Sequence, residues 1–484
     1  MTTTKKILLA ASLLGVLTFS ACGGSDGADS VTTDAGTQGA DTSADTTEAY
    51  IADDLPEADY EGYEFRIMCD PVYVEFIYSE GETGVQVNDM VYEANRNVEE
   101  RYNVNLTHIE QSAWDKMDEV RNLILAGDDA FDIAFTHDSG AGSLALEGMF
   151  YNLYEVPHLN FDQPWCPKYS VDSITINDKM YLISNCISYY GFHATRTIFF
   201  NQDLISKYDM ESPYDLVYNN QWTLDKLIEM SKNVYDDTNG NGTVDYTDIR
   251  GFAMTVPYCL FENFGFEAWG KADDGSLYLD TYNDASIALM DKLVDWLCSD
   301  NPAVYYSNKH TGRQEADSSC IWFSQGNLLF SYGAIGHHLV SLTSSDINYG
   351  ILPMPKVDAS QEDYICACTE LPGVIPITVS DIDRTGMIVE AMSAEAYRTV
   401  YPNYYEYALK GRYATDEDSV RMIDIMFENR VLSYSYIFAG SGGGLQQVVN
   451  NVLTQGGNFS SYYEKNATKE QTRIDLVNEY FAEN

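Results

Sequence analysis

Asp236 to Asp248 reads DDTNGNGTVDYTD, and its side-chain oxygens recur on alternate residues. From Asp237 the series runs Asp237, Asn239, Asn241, Gly242, Thr243, Asp245 and Asp248, which are positions 1, 3, 5, 6, 7, 9 and 12 of a loop. A hard cation takes six to eight oxygens, a glycine at position 6 makes the bend, and position 7 lends its carbonyl. This is EF-hand spacing, and the expected ion is a structural Ca2+ held by Asp237, Asn239, Asn241, Thr243, Asp245 and Asp248. Asp248 stands where a bidentate Glu is usual, so affinity on the order of 0.1–1 mM is expected. A single loop without a partner reads as a structural clip.

The elements around the loop agree with that role. Thr223 is placed to cap a helix whose stripe is Leu224, Leu227, Ile228 and Val234, and IRGFAM after the loop reads as a strand. A cation here would fix a helix-to-strand connection and offset repulsion among the four aspartates.

Lys5 and Lys6 precede a short apolar run that ends in FSAC, Phe19 to Cys22. A positive start, a run too short for an ordinary span and small residues before a cleavage point read as a secretory signal. The four residues resemble the lipobox of bacterial lipoproteins, which implies acylation of Cys22 and a place at the outer face of a cell membrane. From Gly23 to Ala49 the only large apolar residue is Val31, so the stretch cannot bury enough surface to fold. It is a tether with an end-to-end distance of roughly 30 Å.

The roughly 430 residues that follow exceed what one hydrophobic core supports, so two lobes are expected. A net charge of −46 argues against nucleic acid and anionic headgroups as partners, because both are recognised by Lys and Arg. Eight cysteines remain beyond Cys22, widely spaced except for Cys366-Ala-Cys368, which is too tight for a metal knuckle and reads as buried thiols on one strand.

From Tyr63 the chain alternates YEFRIM, NDMVYEANRNVEERY, VNLTHIE, WDKMDEVRNLILAG, FDIAFTH and GSLALEGMFYNL, a strand-helix run that predicts a parallel sheet with right-handed crossovers. Ligands gather beyond the carboxyl ends of such strands, which points at Asp70, His137 and Asp138. No serine elbow, HExxH or phosphate loop is present. Carboxylate pairs are unavoidable with 74 acidic residues and carry no information by themselves. No enzyme is expected.

LILAGDDAFDIAFTHDSGAGSLALEGMFYNL, ITINDKMYLISNCISYYGFHATRTIFFNQDLISKYDM, QWTLDKLIEMSKNVYDDTNGNGTVD and FSQGNLLFSYGAIGHHL, in this order, resemble the family 1 extracellular solute-binding proteins of bacterial ABC importers, the group that includes the maltose-binding proteins. The resemblance implies an α/β, two-lobed periplasmic-binding-protein-like fold of type II, each lobe a mainly parallel sheet flanked by helices. It implies residues 1–21 as signal, 22–58 as linker, 59–190 with 330–379 as one lobe, and 191–329 with 380–484 as the other. The crossings fall near YYGFHA, LFSYG and PITVSD. A monomer that delivers a carbohydrate, an oligosaccharide in the first instance, to an ABC permease is the implied function. A non-sugar solute, a surface glycoside hydrolase and a polysaccharide-capture module remain the alternatives.

A sugar cleft needs aromatic faces and planar polar groups. FTHDSG resembles a family segment whose strand-end Asp binds hydroxyls, here Asp138, although this residue is equally placed to cap the following helix. VPYCLF resembles another cleft segment and nominates Tyr258. Tyr332, Tyr434 and Tyr436 stand where cleft aromatics are expected, and Tyr189, Tyr190 and Trp269 complete the set; for each one, core packing is the competing role.

Overall fold

The computed structural model describes residues 51–483 except 113–116, 256, 258, 307–317, 415, 440–443 and 456. The signal, Cys22, the tether up to residue 50 and Tyr258 lie outside the described residues.

The first sheet is built on the strand Tyr63–Cys69, whose last three residues are buried on both faces. It pairs in parallel with Val104–Glu110 on one side and Ile133–Phe135 on the other, and the antiparallel strand Gly373–Val374 closes the far edge. Parallel neighbours need a crossover, and the helix Gln86–Tyr102 supplies the first. It buries Val91, Ala94, Asn95, Val98 and Tyr102 along one stripe and stops where Asn103 turns left-handed at φ 49°. The strand-helix run predicted for this lobe is present.

The second sheet has the order Tyr349–Leu352, Arg196–Asn201, Leu328–Ala334, Ile249–Met254, Tyr235–Asp236, and Val304–Tyr306 also pairs with Ile249–Met254. It is mixed rather than mainly parallel. Leu328–Ala334 runs parallel to Ile249–Met254, but Arg196–Asn201, the first strand to enter the lobe, lies antiparallel between Leu328–Ala334 and Tyr349–Leu352.

Sheet membership moves the expected lobe boundaries. Leu328–Ala334 and Tyr349–Leu352 fall in the stretch 330–379 expected in the first lobe, yet both belong to the second sheet. The helix Ile382–Arg398, expected in the second lobe, packs on Gln86–Tyr102 in the first. The crossing at YYGFHA is present as the helical turn Tyr190–His193, between the bridge of Ile183 to Gly373 and the strand Arg196–Asn201. LFSYG is an interior strand of the second sheet, and in PITVSD Pro376 bridges Phe150 of the first lobe. The remaining crossings meet as the parallel pair Cys366–Cys368 with Arg430–Leu432. Apolar periodicity identifies a buried strand but does not say which sheet will take it. The thiols of Cys366 and Cys368 are buried and free, as expected for a strand face.

Candidate binding site between the lobes

The first wall grows from the carboxyl end of Ile133–Phe135. The chain turns there into the helix Asp138–Ala145, capped by His137, whose side chain accepts from the Ser139 N–H. Asp138 is 3 % exposed. Its Oδ1 accepts from the Ser139 N–H at 2.8 Å, while Oδ2 is buried with no hydrogen-bond partner. Burial pushes the Asp138 carboxyl up, against the pull of the adjacent His137. The Nε2 of that imidazole lies 3.3 Å from the hydroxyl of Tyr436, on the short helix Tyr434–Phe438. The two helices approach closely at Gly142, where a Cβ would stand 2.2 Å from the carbonyl oxygen of Ile437.

The crossing supplies the back of the site. Tyr190 meets Tyr73 edge to face at 5.4 Å, and His193 stacks beside Tyr190 with the ring of His337 at 5.4 Å. Burial, then His337 and Arg196, hold the His193 imidazole down at about 3, so it is neutral at physiological pH. Glu370 accepts from the Tyr169 hydroxyl at 2.8 Å, and burial pushes its carboxyl up to about 7 against the nearby Arg430.

The second lobe contributes Arg196 at the start of its first strand, Tyr332 to Ala334 at the end of Leu328–Ala334, and Thr255, whose hydroxyl lies 2.9 Å from that of Ser319. His337 lines the cavity, whereas its neighbour His338 points into the core. There it stacks on Phe199 at 4.4 Å with Nε2 at 2.8 Å from the Ser331 hydroxyl. The two histidines therefore serve different environments, as adjacent residues on a helix must.

Together these walls enclose a cavity of about 320 Å³, lined from both lobes and from the crossing. Five expected residues line it: His137, Asp138, Tyr190, Tyr332 and Tyr436. Tyr189, Trp269 and Tyr434 do not. Tyr189 packs between Phe76 and Tyr404 at 4.8 and 4.7 Å. Trp269 is fully buried and donates its indole N–H to Glu470 at 2.7 Å. Tyr434 donates its hydroxyl to the Trp269 carbonyl beneath the Lys271 ammonium. Asp70, the other strand-end carboxylate, accepts from the Val72 N–H at 2.8 Å and is outside the lining. Sequence reasoning missed Tyr73, His193, Arg196, Glu370 and Thr255. The signal for Arg196 was there to be read: a cation opening the apolar strand RTIFFN immediately after a crossing.

The acidic loop sits where expected, between the helix Leu224–Ser231 and the strand Ile249–Met254, its base closed by the pairing of Tyr235–Asp236 with that strand. Gly240 and Gly242 are left-handed, at φ 66° and 70°. Asp237 accepts from the N–H groups of Gly240 and Gly242, both at 2.8 Å. The amides of Asn239 and Asn241 converge on Asp245 Oδ2 at 3.0 and 2.7 Å. Asp248 Oδ1 is buried with no hydrogen-bond partner. Among the described residues no three His, Cys, Asp or Glu side chains are placed to hold a metal by themselves. A cation here would draw on the asparagine oxygens and the Thr243 carbonyl as well; the orphaned Asp248 oxygen fits such a group, whereas the two amides present N–H donors to Asp245 and would have to turn their oxygens inward.

No protein-family profile matches the chain, and no curated protein matches it. Solved structures do. Maltose-bound MalE3 of T. maritima superposes with a TM-score of 0.56 at 15 % identity, covering 85 % of this chain and all of its own. The chain has the fold of the solute-binding proteins. The ABC substrate-binding protein Lmo0181 of Listeria monocytogenes, in complex with cycloalternan, gives 0.55 at 14 % identity over 86 % of this chain and 99 % of its own. UgpB of Mycobacterium tuberculosis, in complex with glycerophosphocholine, gives 0.55 at 14 % identity over 86 % and 98 %. No described helix is long and apolar enough to cross a membrane.

Proposed function

We propose that the protein is a binding protein for a small hydroxylated solute of the carbohydrate class, taken into the cavity between the lobes and passed to an ABC permease. The observation that carries this reading is the composition of the walls. Tyrosine rings from both lobes and the crossing surround a buried carboxylate and a guanidinium, the apolar-face-plus-polar-anchor chemistry that hydroxylated ligands require. A ligand touching both walls favours the closed arrangement, and the permease would read that population shift. At about 320 Å³ the cavity is near the small end of ligand pockets, which favours one or two sugar rings over the longer oligosaccharide first expected. Anchoring through Cys22 completes the reading; retention of the full chain in the membrane fraction tests it.

A thermal-shift screen with mono- and disaccharides tests the binding. Ligand at about a hundred times its dissociation constant adds roughly 2.7 kcal/mol, a shift of several degrees. Asp138→Asn should abolish the shift while the ligand-free melting temperature changes little; an unchanged shift would remove Asp138 from the site. The second reading, hydrolysis, is favoured by Glu370 at about 7 in the same cavity as a second carboxyl. Recovery of the sugar chemically intact decides against it, and consumption decides for it.

Ca2+ in the loop would be held by Asp237, Asn239, Asn241, the Thr243 carbonyl, Asp245 and Asp248. Chelation should lower the melting temperature and leave solute affinity within about twofold, since no residue of the loop lines the cavity. A melting temperature indifferent to chelator would leave the loop a hydrogen-bonded turn.

A further inference from the structure

We propose that the solute is acidic: a carboxylate or phosphate on its hydroxylated frame is taken by Arg196 of the second lobe, while Asp138 of the first takes hydroxyls. This rests on the binding reading above. Arg196 lines the cavity, and its Nε is buried without a hydrogen-bond partner. Burial weighs on its charge, and the groups that act on it most are the Cys259 thiol, which also hydrogen-bonds to it, and the phenols of Tyr332 and Tyr190. All three are pushed to higher pKa by burial and carry no charge at neutral pH.

The acidic groups nearby do not complete it: Glu262 acts on Cys259 and Tyr332 and forms no ion pair with Arg196 among the described residues. Glu370 accepts from the Tyr169 hydroxyl and opposes Arg430 at the crossing. Asp138 forms no ion pair with Arg196 among the described residues, and its own Oδ2 is orphaned. The two orphans set complementary demands. A carboxylate accepts only, so Asp138 requires donors, and sugar hydroxyls provide them. A guanidinium donates only, and burying one without a counter-charge is strongly unfavourable. A neutral sugar would give it hydrogen bonds but no charge. An oxyanion matches its planar fork with two parallel hydrogen bonds and neutralises it.

Calorimetric titration of the whole chain with glucuronate, galacturonate and glucose 6-phosphate, against glucose, galactose and glucosamine, tests this. At least one acidic sugar should bind ten times or more tighter than its neutral parent, the uronates and the phosphate telling carboxylate from phosphate. Arg196→Gln should erase that advantage, so that the acidic sugar binds the variant no tighter than its neutral parent does. Should R196Q fail to fold, Arg196→Lys keeps the charge but loses the fork, and the advantage should drop at least threefold. Equal or tighter binding of the neutral sugars, preference for glucosamine, or an advantage that survives both variants would overturn the acidic ligand and leave the carbohydrate reading standing. No binding of any sugar in the set, with the fold intact, would remove the carbohydrate reading and this inference with it.

Discussion

Alanine in place of Gly142 should cost about 3 kcal/mol of stability and take solute affinity with it. The added Cβ would stand 2.2 Å from the Ile437 carbonyl oxygen and 2.9 Å from its Cγ2, and the first of these is backbone that cannot swing aside. Relief requires the helices Asp138–Ala145 and Tyr434–Phe438 to separate. These helices carry Asp138 and Tyr436 into the cavity, so the same displacement that loosens the packing pulls two wall residues from their places. Urea unfolding reads the first effect, and titration at a temperature where the variant is folded reads the second. A variant as stable as the parent would show that the two helices have slack between them. Lost stability with unchanged affinity would show that the site does not depend on their contact.

The second large effect is a fall in stability as pH rises from about 5 to 8. Burial raises the carboxyl of Glu390 from its ordinary 4.5 to about 7, although it accepts from the Trp165 indole N–H at 3.0 Å; Glu370 is raised likewise. Between those two values the native chain keeps the proton and the unfolded chain releases it. Stability is therefore full at the low end of the window and declines through it, by on the order of 3 kcal/mol for each group. The acid edge has the opposite sign. Asp53, paired with Arg101 and Arg398 at 2.6 and 3.0 Å, is held down at about 2, so its contribution is present above pH 4 and lost below. Glu390→Gln keeps an acceptor for Trp165 and removes the titration. Its unfolding free energy, measured in urea from pH 5 to 8, should fall less steeply than that of the parent. Parallel curves would mean that Glu390 titrates normally.

The sequence was most legible where one local signal sufficed. The alternation from Tyr63 to Leu153 gave the first lobe, because each crossover joins neighbours in sequence and the hydrophobic period changes at every boundary. The place of Asp138 in the cavity lining was legible for the same reason, since a strand end marks the face where ligands collect. What failed depended on contacts distant in sequence. Trp269 read as a stacking platform, yet its partner is Glu470, some two hundred residues on, and nothing local announces that hydrogen bond. Tyr189 and Tyr190 are adjacent and chemically identical, and only the turn at the crossing sends one to Phe76 and Tyr404 and the other to the cavity. The return of Ile382–Arg398 to the first lobe after residues 328–352 had completed the second sheet was equally invisible, because helix periodicity reports that a face is buried but not against what.

Transport by this protein would require a solute held between two lobes that close on it. Small-angle X-ray scattering on the soluble chain, with and without the best sugar from the thermal screen, tests that most directly. The radius of gyration should contract when ligand is added to saturation, and Asp138→Asn should show no contraction at the same concentration. Saturable binding with superimposable scattering curves would contradict closure and make the cavity a rigid pocket.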